Sequence, residues 1–456
     1  MAERDTRLSK KRTVQIRVLP SGYFTASFVT AFVAALLTYL GYFYYAAPLA
    51  LISCVVIPIF WFNDKIKFDG SRVRRTGLLP SILARLTGTR DRLKISDIEQ
   101  VETTAFSGLK RGRNIYYTYR TRLTGKSASF VFSSRHRGYH DMIRALLPRL
   151  TEDVLDSTSI DLRDYLAEKR DVGQRARESE IPSSDVLDGS FREIHLKRAD
   201  DRTSVQDQAK ATNLHLLANE LRISGRLLQA LEAFRRAAVL RPRDARLLFE
   251  FAECIRSVAG SEGDAKLERK ALAMMRLAER HASADRDLLS RIGEFYFRVG
   301  DWDRAAIVFK RVTEKFGENF RTLLGLAELS LREGKLAHVI HNFAAAERTA
   351  STRSLQRWLR TEVDYFSHLN EDDEYMELEI SRVNLLDTLD KTRRSSVRVA
   401  LLGFIVIAFG LSLGDDLITE IGWAVSSISI LLWTVTILMT RMLSPRIPFE
   451  LMETDE

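Results

Sequence analysis

The sequence predicts a multi-domain α+β membrane protein in which two transmembrane helical hairpins flank a small β-rich domain and an α-helical repeat solenoid. Three observations carry that prediction. Four long apolar runs fall into two pairs, one near each end of the 456 residues. Short runs of alternating apolar and polar residues follow the first pair directly. Beyond them, small and large apolar residues recur at helical spacing in successive two-helix units. The boundaries read as a basic cytoplasmic N-terminus (1–22), a hairpin (23–62), the β domain (63–150), a linker (151–203), the repeats (204–395), a second hairpin (396–440) and a tail (441–456).

The spans come first. From Tyr23 to Phe62 there is no charged side chain, about twice the ~20 residues one helix needs to cross a bilayer. Gly41 and Pro48 break the run, giving helices near Tyr23–Leu40 and Ala46–Phe62. Pro48 falls in a first turn, where its missing N–H costs little. Tyr39, Tyr42, Tyr44 and Tyr45 cluster at the turn, and Trp61 and Phe62 at the far end, as interfacial rings do. Two adjacent runs without a clear A-x-A site before Gly41 differ from a cleaved signal peptide. The second pair is Val399–Leu413, extended by Val397 with Arg398 able to snorkel, and Ile421–Met439.

Lys and Arg set the expected orientation. Arg4, Arg7, Lys10, Lys11, Arg12 and Arg17 precede the first span, and Lys65 and Lys67 follow the second. Lys391, Arg393, Arg394 and Arg398 precede the third, and Arg441 and Arg446 follow the fourth. The hairpin tips hold no Lys or Arg, and the second tip carries Asp415, Asp416 and Glu420. The expectation is a multi-pass protein of the inner cell membrane with both termini and all soluble domains cytoplasmic.

The β domain opens with two short strands around an Asp69-Gly70 turn. In "NIYYTYRTRL", Ile115, Tyr117, Tyr119, Thr121 and Leu123 share a face, and Ala128, Phe130 and Phe132 share another. A closing helix puts Met142, Ile143, Leu146, Leu147 and Leu150 on one stripe. Residues 64–149 hold 19 Lys/Arg against 7 Asp/Glu, a net of +12 that exceeds the whole chain's +9. Held beside a membrane, such charge attracts anionic lipid, and Lys110, Arg111 and Arg113 are the expected lipid contacts. No nucleic-acid motif accompanies the charge, so nucleic acid is not an expected partner. The hairpin-then-strands order, with "IKFDGSRVRRTGLL" and "LKISDIEQVE", resembles bacterial membrane proteins carrying a pleckstrin-homology-like (PH-like) domain, which implies a small barrel or sandwich capped by its last helix.

After the linker the repeats begin. A unit from Ala211 places Leu214, Leu217, Ala218, Leu221, Gly225, Ala230, Phe234, Ala237 and Pro242 in register. A unit from Arg286 gives Leu289, Ile292, Gly293, Tyr296, Gly300, Ala305, Phe309 and Val312. The unit from Phe320 gives Leu323, Leu326, Ala327, Gly334, Val339, Phe343 and Ala346. An atypical unit lies between the first two, with Leu248, Phe251, Ala252 and Ile255 in one helix, Ala271, Met275 and Ala278 in the other, and a loop expected to be about one helical turn too long. This pattern resembles the tetratricopeptide repeat (TPR). The resemblance implies that first helices present a protein partner with His215, Asn219, Arg222, Arg246, Glu253, Arg256, Ser290 and Glu294. One family use captures a C-terminal carboxylate with Lys and Asn. Asn219 fits it, but Glu253, Glu294 and Glu328 stand at the later positions, which favours a mixed-charge ligand such as a basic or extended segment.

The catalytic motifs are missing: no P-loop, Gly-rich dinucleotide turn, H-E-x-x-H, C-x-x-C pair or nucleophile elbow occurs. Cys54 and Cys254 read as packing residues. His136/His140 and His338/His341 stand at ligand-like spacing without a third ligand, and Arg135 and Arg137 oppose a cation at the first pair, so neither metal nor cofactor is expected. The expected function is a non-catalytic membrane scaffold that recruits a protein partner through the groove. The competing reading is a subunit of a transport or cell-envelope (polysaccharide) assembly complex. No span carries an ionisable residue in its middle, where transport sites usually need one.

Overall fold

The computed structural model describes residues 13–18, 21–79, 81, 92–107, 117–126, 128–136, 138–187 and 205–446. In chain order, strand β1 (Val14–Arg17) precedes a helical hairpin, α1 (Ser21–Tyr39) and α2 (Phe43–Asn63). Strands β2 (Lys65–Phe68), β3 (Arg72–Thr76), β4 (Arg92–Lys94), β5 (Ile98–Ser107), β6 (Tyr117–Gly125) and β7 (Ala128–Ser133) lead to α3 (Tyr139–Leu146). Helices α4 (Ser157–Tyr165), α5 (Lys169–Glu178) and α6 (Ser184–Leu187) come next. The repeats are α7 (Val205–Ile223), α8 (Leu227–Leu240), α9 (Ala245–Glu262), α10 (Ala265–His281), α11 (Arg286–Val299), α12 (Trp302–Phe316), α13 (Phe320–Arg332) and α14 (Leu336–Thr349). Helix α15 (Arg353–Glu371) leads to α16 (Asp373–Leu413) and α17 (Asp416–Leu443). The chain divides into two compact units, Met1–Leu19 with Phe62–Val363 and Pro20–Trp61 with Asp364–Glu456.

In the first unit, β1-β2-β3-β4 form one antiparallel sheet and β5-β6-β7 another. The period-2 rule sends Ile16, Ile66, Phe68, Val73 and Leu93 inward from the first sheet and Val101, Leu123, Phe130 and Phe132 from the second, all buried. The stripe of α3 closes over them, with Met142, Ile143, Leu146 and Leu147 buried. The β2–β3 turn is set by Asp69, whose Oδ1 accepts from the Ser71 and Arg72 amides at 2.9 and 2.8 Å, and by Gly70 at φ +95°. Strand β1 falls in the segment that the sequence assigns to the N-terminal tail. It pairs instead with β2, Gln15 opposite Lys67 and Arg17 opposite Lys65, across the inserted hairpin. Lys110, Arg111 and Arg113 lie outside the described residues.

Repeat helices α7 to α12, with Leu329 of α13, share one continuous apolar core, and α14 pairs with α13 through buried Val339, Phe343 and Ala346 outside that cluster. Aspartates and an asparagine start the helices: Asp244, Asp285 and Asn319 accept from the amides of Leu247, Leu288 and Thr322. Gly300, at φ +89°, ends α11 in the left-handed region that a side chain disfavours. Small residues let helices meet: a Cβ added at Gly325 would lie 2.5 Å from the Phe309 ring, which Gly293 also faces. The atypical unit differs from expectation. Its extra residues lengthen α9 to 18 residues, and only Gly263 and Asp264 separate it from α10. The segment expected to be a linker is also folded in part. Ile160, Asp161 and Leu162 of α4 are buried, and Val172 and Ala176 of α5 join the repeat core.

The second unit pairs the two apolar hairpins. All four of its long helices are long and apolar enough to cross a membrane. Ser27 and Ser53 hydrogen-bond each other across α1 and α2. Phe32, Ala400 and Ile430 form the centre, with the Phe32 ring 5.7 Å from Phe404 and 5.5 Å from Trp423. The third apolar run, only about 15 residues by sequence, is the end of a continuous 41-residue helix. Gly410 lets α16 approach α17, where a Cβ would meet Thr419 Oγ1 at 2.5 Å. Below the apolar zone, Arg382 is held by Glu379 at 2.7 Å and donates to the Leu443 carbonyl at 3.0 Å.

Candidate protein-interaction groove

One face of the repeats is joined by bonds between first helices: Asn219 of α7 to Glu250 of α9, Arg298 of α11 to Glu253 of α9, and Arg321 of α13 to Glu294 of α11. A polar lattice, rather than open groove, occupies much of it. Glu250 on α9 gathers His215 and Asn219 of α7, Arg246 of its own helix and Tyr165 of α4, the last at 2.8 Å. Burial raises the Glu250 carboxyl, but the His215 bond and charge, Arg222 and Asn219 outweigh it and hold the pKa at about 2. Glu253 is likewise raised by burial and then pulled down to about 2 by Arg298, Arg256, Arg222 and Arg291. Arg298 donates to it at 2.8 Å, and Arg256 lies 3.7 Å away.

Helix α4 supplies the rest. Asp161, 4 % exposed, accepts from Arg222 of the first repeat and Arg291 of the third, each at 2.8 Å. Arg291 also reaches Ser157 and stacks over Phe249 at 4.9 Å. On its other side α4 meets the second sheet, where buried Ser159, Thr103, Thr121 and Tyr139 form a hydroxyl chain with links of 2.7, 3.1 and 2.9 Å. Asp156 accepts from the Ser159 and Thr103 amides, and burial nonetheless pushes its carboxyl up to about 6.

The eight groove residues therefore divide. Asn219, Arg222, Glu253 and Ser290 are buried and bonded inside the chain, and His215 is largely covered. Arg246, Arg256 and Glu294 remain reachable, with side chains 52 %, 33 % and 25 % exposed. Glu294 is paired with Arg321 at 2.6 Å, and Arg321 also donates to the Leu155 carbonyl at 3.2 Å. Beside Glu294 opens a cavity of about 300 Å³ between β5, the 153–157 segment and α11, α13 and α15. Phe297, Phe320, Leu324 and Trp358 give it apolar walls, and Glu99, Glu102, Glu294 and Glu328 give it carboxylates. Burial, then the like charge of Glu294, raises Glu328 to about 7. Sequence reasoning places Glu328 on the groove side but not in a cavity. The wall from β5 has no local signal in the repeats. Cys254 is fully buried, and burial pushes its thiol up to about 12.

Small residues such as Gly293, Gly325, Ala230 and Ala305 stand where paired helices meet. Helices α7 to α14 form a TPR-like repeat. No protein-family model matches the chain, and no curated protein matches it. Among solved structures, the crystal structure of MamA is 14 % identical at TM-score 0.28, with 40 % of this chain and 90 % of that chain covered. A thermophilic TPR protein from Thermus thermophilus is 21 % identical at TM-score 0.29, covering 35 % and 83 %. Pseudomonas aeruginosa pilF is 17 % identical at TM-score 0.31, covering 51 % and 99 %. At such values the TPR-like assignment rests on the helix pairing and its seam residues.

Proposed function

We propose that this chain is a non-catalytic, membrane-anchored scaffold of the inner membrane that docks a protein partner on the concave side of its TPR-like repeat. The cavity beside Glu294 is the observation that carries the reading. It joins apolar walls to six carboxylates, Glu99, Glu102, Asp153, Asp156, Glu294 and Glu328, against the two guanidinium groups of Arg298 and Arg321, and burial beside Glu294 destabilises Glu328 as an anion. A partner segment bringing a Lys or Arg on an apolar stem relieves that cost. Arg246, Arg256 and Glu294 are the first contacts of such a segment; His215, Asn219, Arg222, Glu253 and Ser290 act by holding the surface rigid.

The four apolar helices anchor the chain as two hairpins. The pairing of β1 with β2 supports this topology, because the chain must leave and re-enter the same side of the membrane to build one sheet. The four-plus-three strands closed by α3 support a PH-like domain, held at the inner leaflet and touching anionic lipid through Lys110, Arg111 and Arg113 among others. All soluble segments are cytoplasmic in this reading.

Photo-crosslinking tests the docking face. A benzophenone amino acid at Arg246, Arg256 or Glu294 is expected to trap the same protein in living cells, while one at Lys310, exposed on a second helix, traps none. Equal trapping at all four positions overturns the proposal.

A further inference from the structure

The outer face of the four-stranded sheet carries a pattern that the net charge alone does not reveal. With Ile16, Ile66, Val73 and Leu93 inward, alternation turns Gln15, Arg17, Lys65, Lys67, Arg72, Arg74, Arg92 and Lys94 outward. The registers stack them. Lys67 lies opposite Arg74, Arg74 opposite Arg92, and Arg72 opposite Lys94. Like charges directly opposite on one sheet face repel, and here they do so in four cross-strand pairs, the fourth being Arg17 opposite Lys65. No Asp or Glu belongs to the outward positions of these strands. The carboxylate of the adjoining turn, Asp69, is engaged first by the backbone amides of Ser71 and Arg72, and its charge also attracts Arg74 without forming an ion pair with it. Among the described residues no ion pair joins Lys65, Lys67, Arg72, Arg74 or Lys94 to a carboxylate.

We infer that this face is a binding surface for anionic lipid headgroups, which rests on the membrane-anchored reading above. Chain continuity selects the lipid over other polyanions. Three residues separate Arg17 from α1, and one separates Asn63 at the end of α2 from Lys65. At no more than ~3.6 Å per residue, Arg17 and Lys65 stay within about 15 Å of the helices that enter the bilayer. Those two residues are themselves cross-strand partners, so the basic face begins where the hairpin ends. A sheet of repelling cations tethered there gathers phosphates from the leaflet, as juxtamembrane basic segments do. The surface comprises the ladder Lys67, Arg74, Arg72 and Lys94.

Full-length chain in lipid nanodiscs tests this, using one photoactivatable group carried either on phosphatidylglycerol or on phosphatidylcholine. Adducts on 65–76 and 92–94 are expected to be at least tenfold more abundant from phosphatidylglycerol. The K67Q/R74Q/K94Q variant is expected to lose most of that excess while melting at the same or a higher temperature, since it removes repulsion. Equal labelling by the two lipids, or an excess that survives the triple substitution, overturns the inference. So does loss of the adducts on adding 5 mM inorganic phosphate alone, which assigns the face to a free phosphate. Preferential capture of a DNA duplex in phosphatidylcholine discs, displacing the lipid, assigns it to nucleic acid and also overturns it. A chain that never enters the discs refutes the membrane reading itself, a distinct result.

Discussion

Replacing Asp161 with Ala removes the carboxylate that the structure places between Arg222 and Arg291. Each guanidinium is about 10 % exposed or less, so neither regains water without local opening. Breaking a buried ion pair by deleting one partner costs about 3–5 kcal/mol, because a charge is left uncompensated. Here two charges lose a partner, but both keep something. Arg222 retains Asn219 Oδ1 at 3.1 Å, and Arg291 retains Ser157 at 3.1 Å and the Phe249 ring. The cost therefore belongs within that range rather than at twice it. It falls on the opening of α4, so the assay is amide hydrogen exchange of the full chain in detergent. At about 1.4 kcal/mol per tenfold, exchange across Ser157–Tyr165 is expected to accelerate about 100- to 3,000-fold. A triple variant with Asp161→Leu, Arg222→Met and Arg291→Met is expected to restore only part of the protection: apolar replacement of a buried ion triad is often neutral or better, but Glu250 and Glu253 lose the charge of these arginines. Acceleration below about fivefold for Asp161→Ala would mean that packing alone fixes α4, and the ion-pair account would be wrong.

Four further outcomes are expected. Gly325→Val drives a side chain into the Phe309 ring and is expected to cost about 1–3 kcal/mol by overpacking, against about 3–5 kcal/mol for Phe309→Ala; urea unfolding followed by helical circular dichroism ranks the two. Glu250 and Glu253 have folded pKa values near 2, below the ordinary 4.5, so their stabilisation is complete above about pH 5 and drains away as pH falls towards 2. Glu328 has the opposite sign: raised to about 7, it favours folding fully below 4.5 and loses that contribution as pH rises through 7, and Glu328→Gln is expected to flatten that part of the stability profile. A reporter active only outside the cytoplasm is expected to be silent after Glu456 and active when inserted between Gly414 and Asp415; the reverse pattern would refute the topology.

The repeat seams were legible in sequence because TPR-like packing demands small residues where helices cross. Gly293, Ala230 and Ala305 stand at such places and are buried or face a ring. The strands of the β domain were legible from alternation, as with Thr121 and Leu123. Helix α4 was not, because it is buried on two sides by polar residues, Ser157 and Asp161 against the repeats and Ser159 against the second sheet. Polar residues can be interior only when partners exist, and those partners lie up to 134 residues away. The same fact limits the groove. Position on a first helix offered Asn219 and Arg222 as groove residues, but gave no sign that Glu250 and Asp161 already engage them. The atypical repeat misled because a helix extended by one turn and a long loop have the same residue count. Strand β1 was hidden by its brevity and by a partner 48 to 54 residues away across an apolar hairpin.

That last arrangement has a consequence for synthesis. Strand β1 leaves the ribosome first, yet its partner β2 follows only after the whole hairpin has been made. At about 5–20 residues per second, Val14 waits on the order of 3–10 s for Phe68. During that interval the nascent sheet is open, and β1 offers an unpaired edge of the kind that invites mispairing. We expect closure of the sheet to depend on the two apolar helices having been delivered to the bilayer, so that the strand domain matures only on chains that have been inserted. Stalled nascent chains ending beyond residue 100 provide the check. Protease resistance of β1 should require membranes in the translation mixture, and resistance without them would show that the sheet closes on its own schedule.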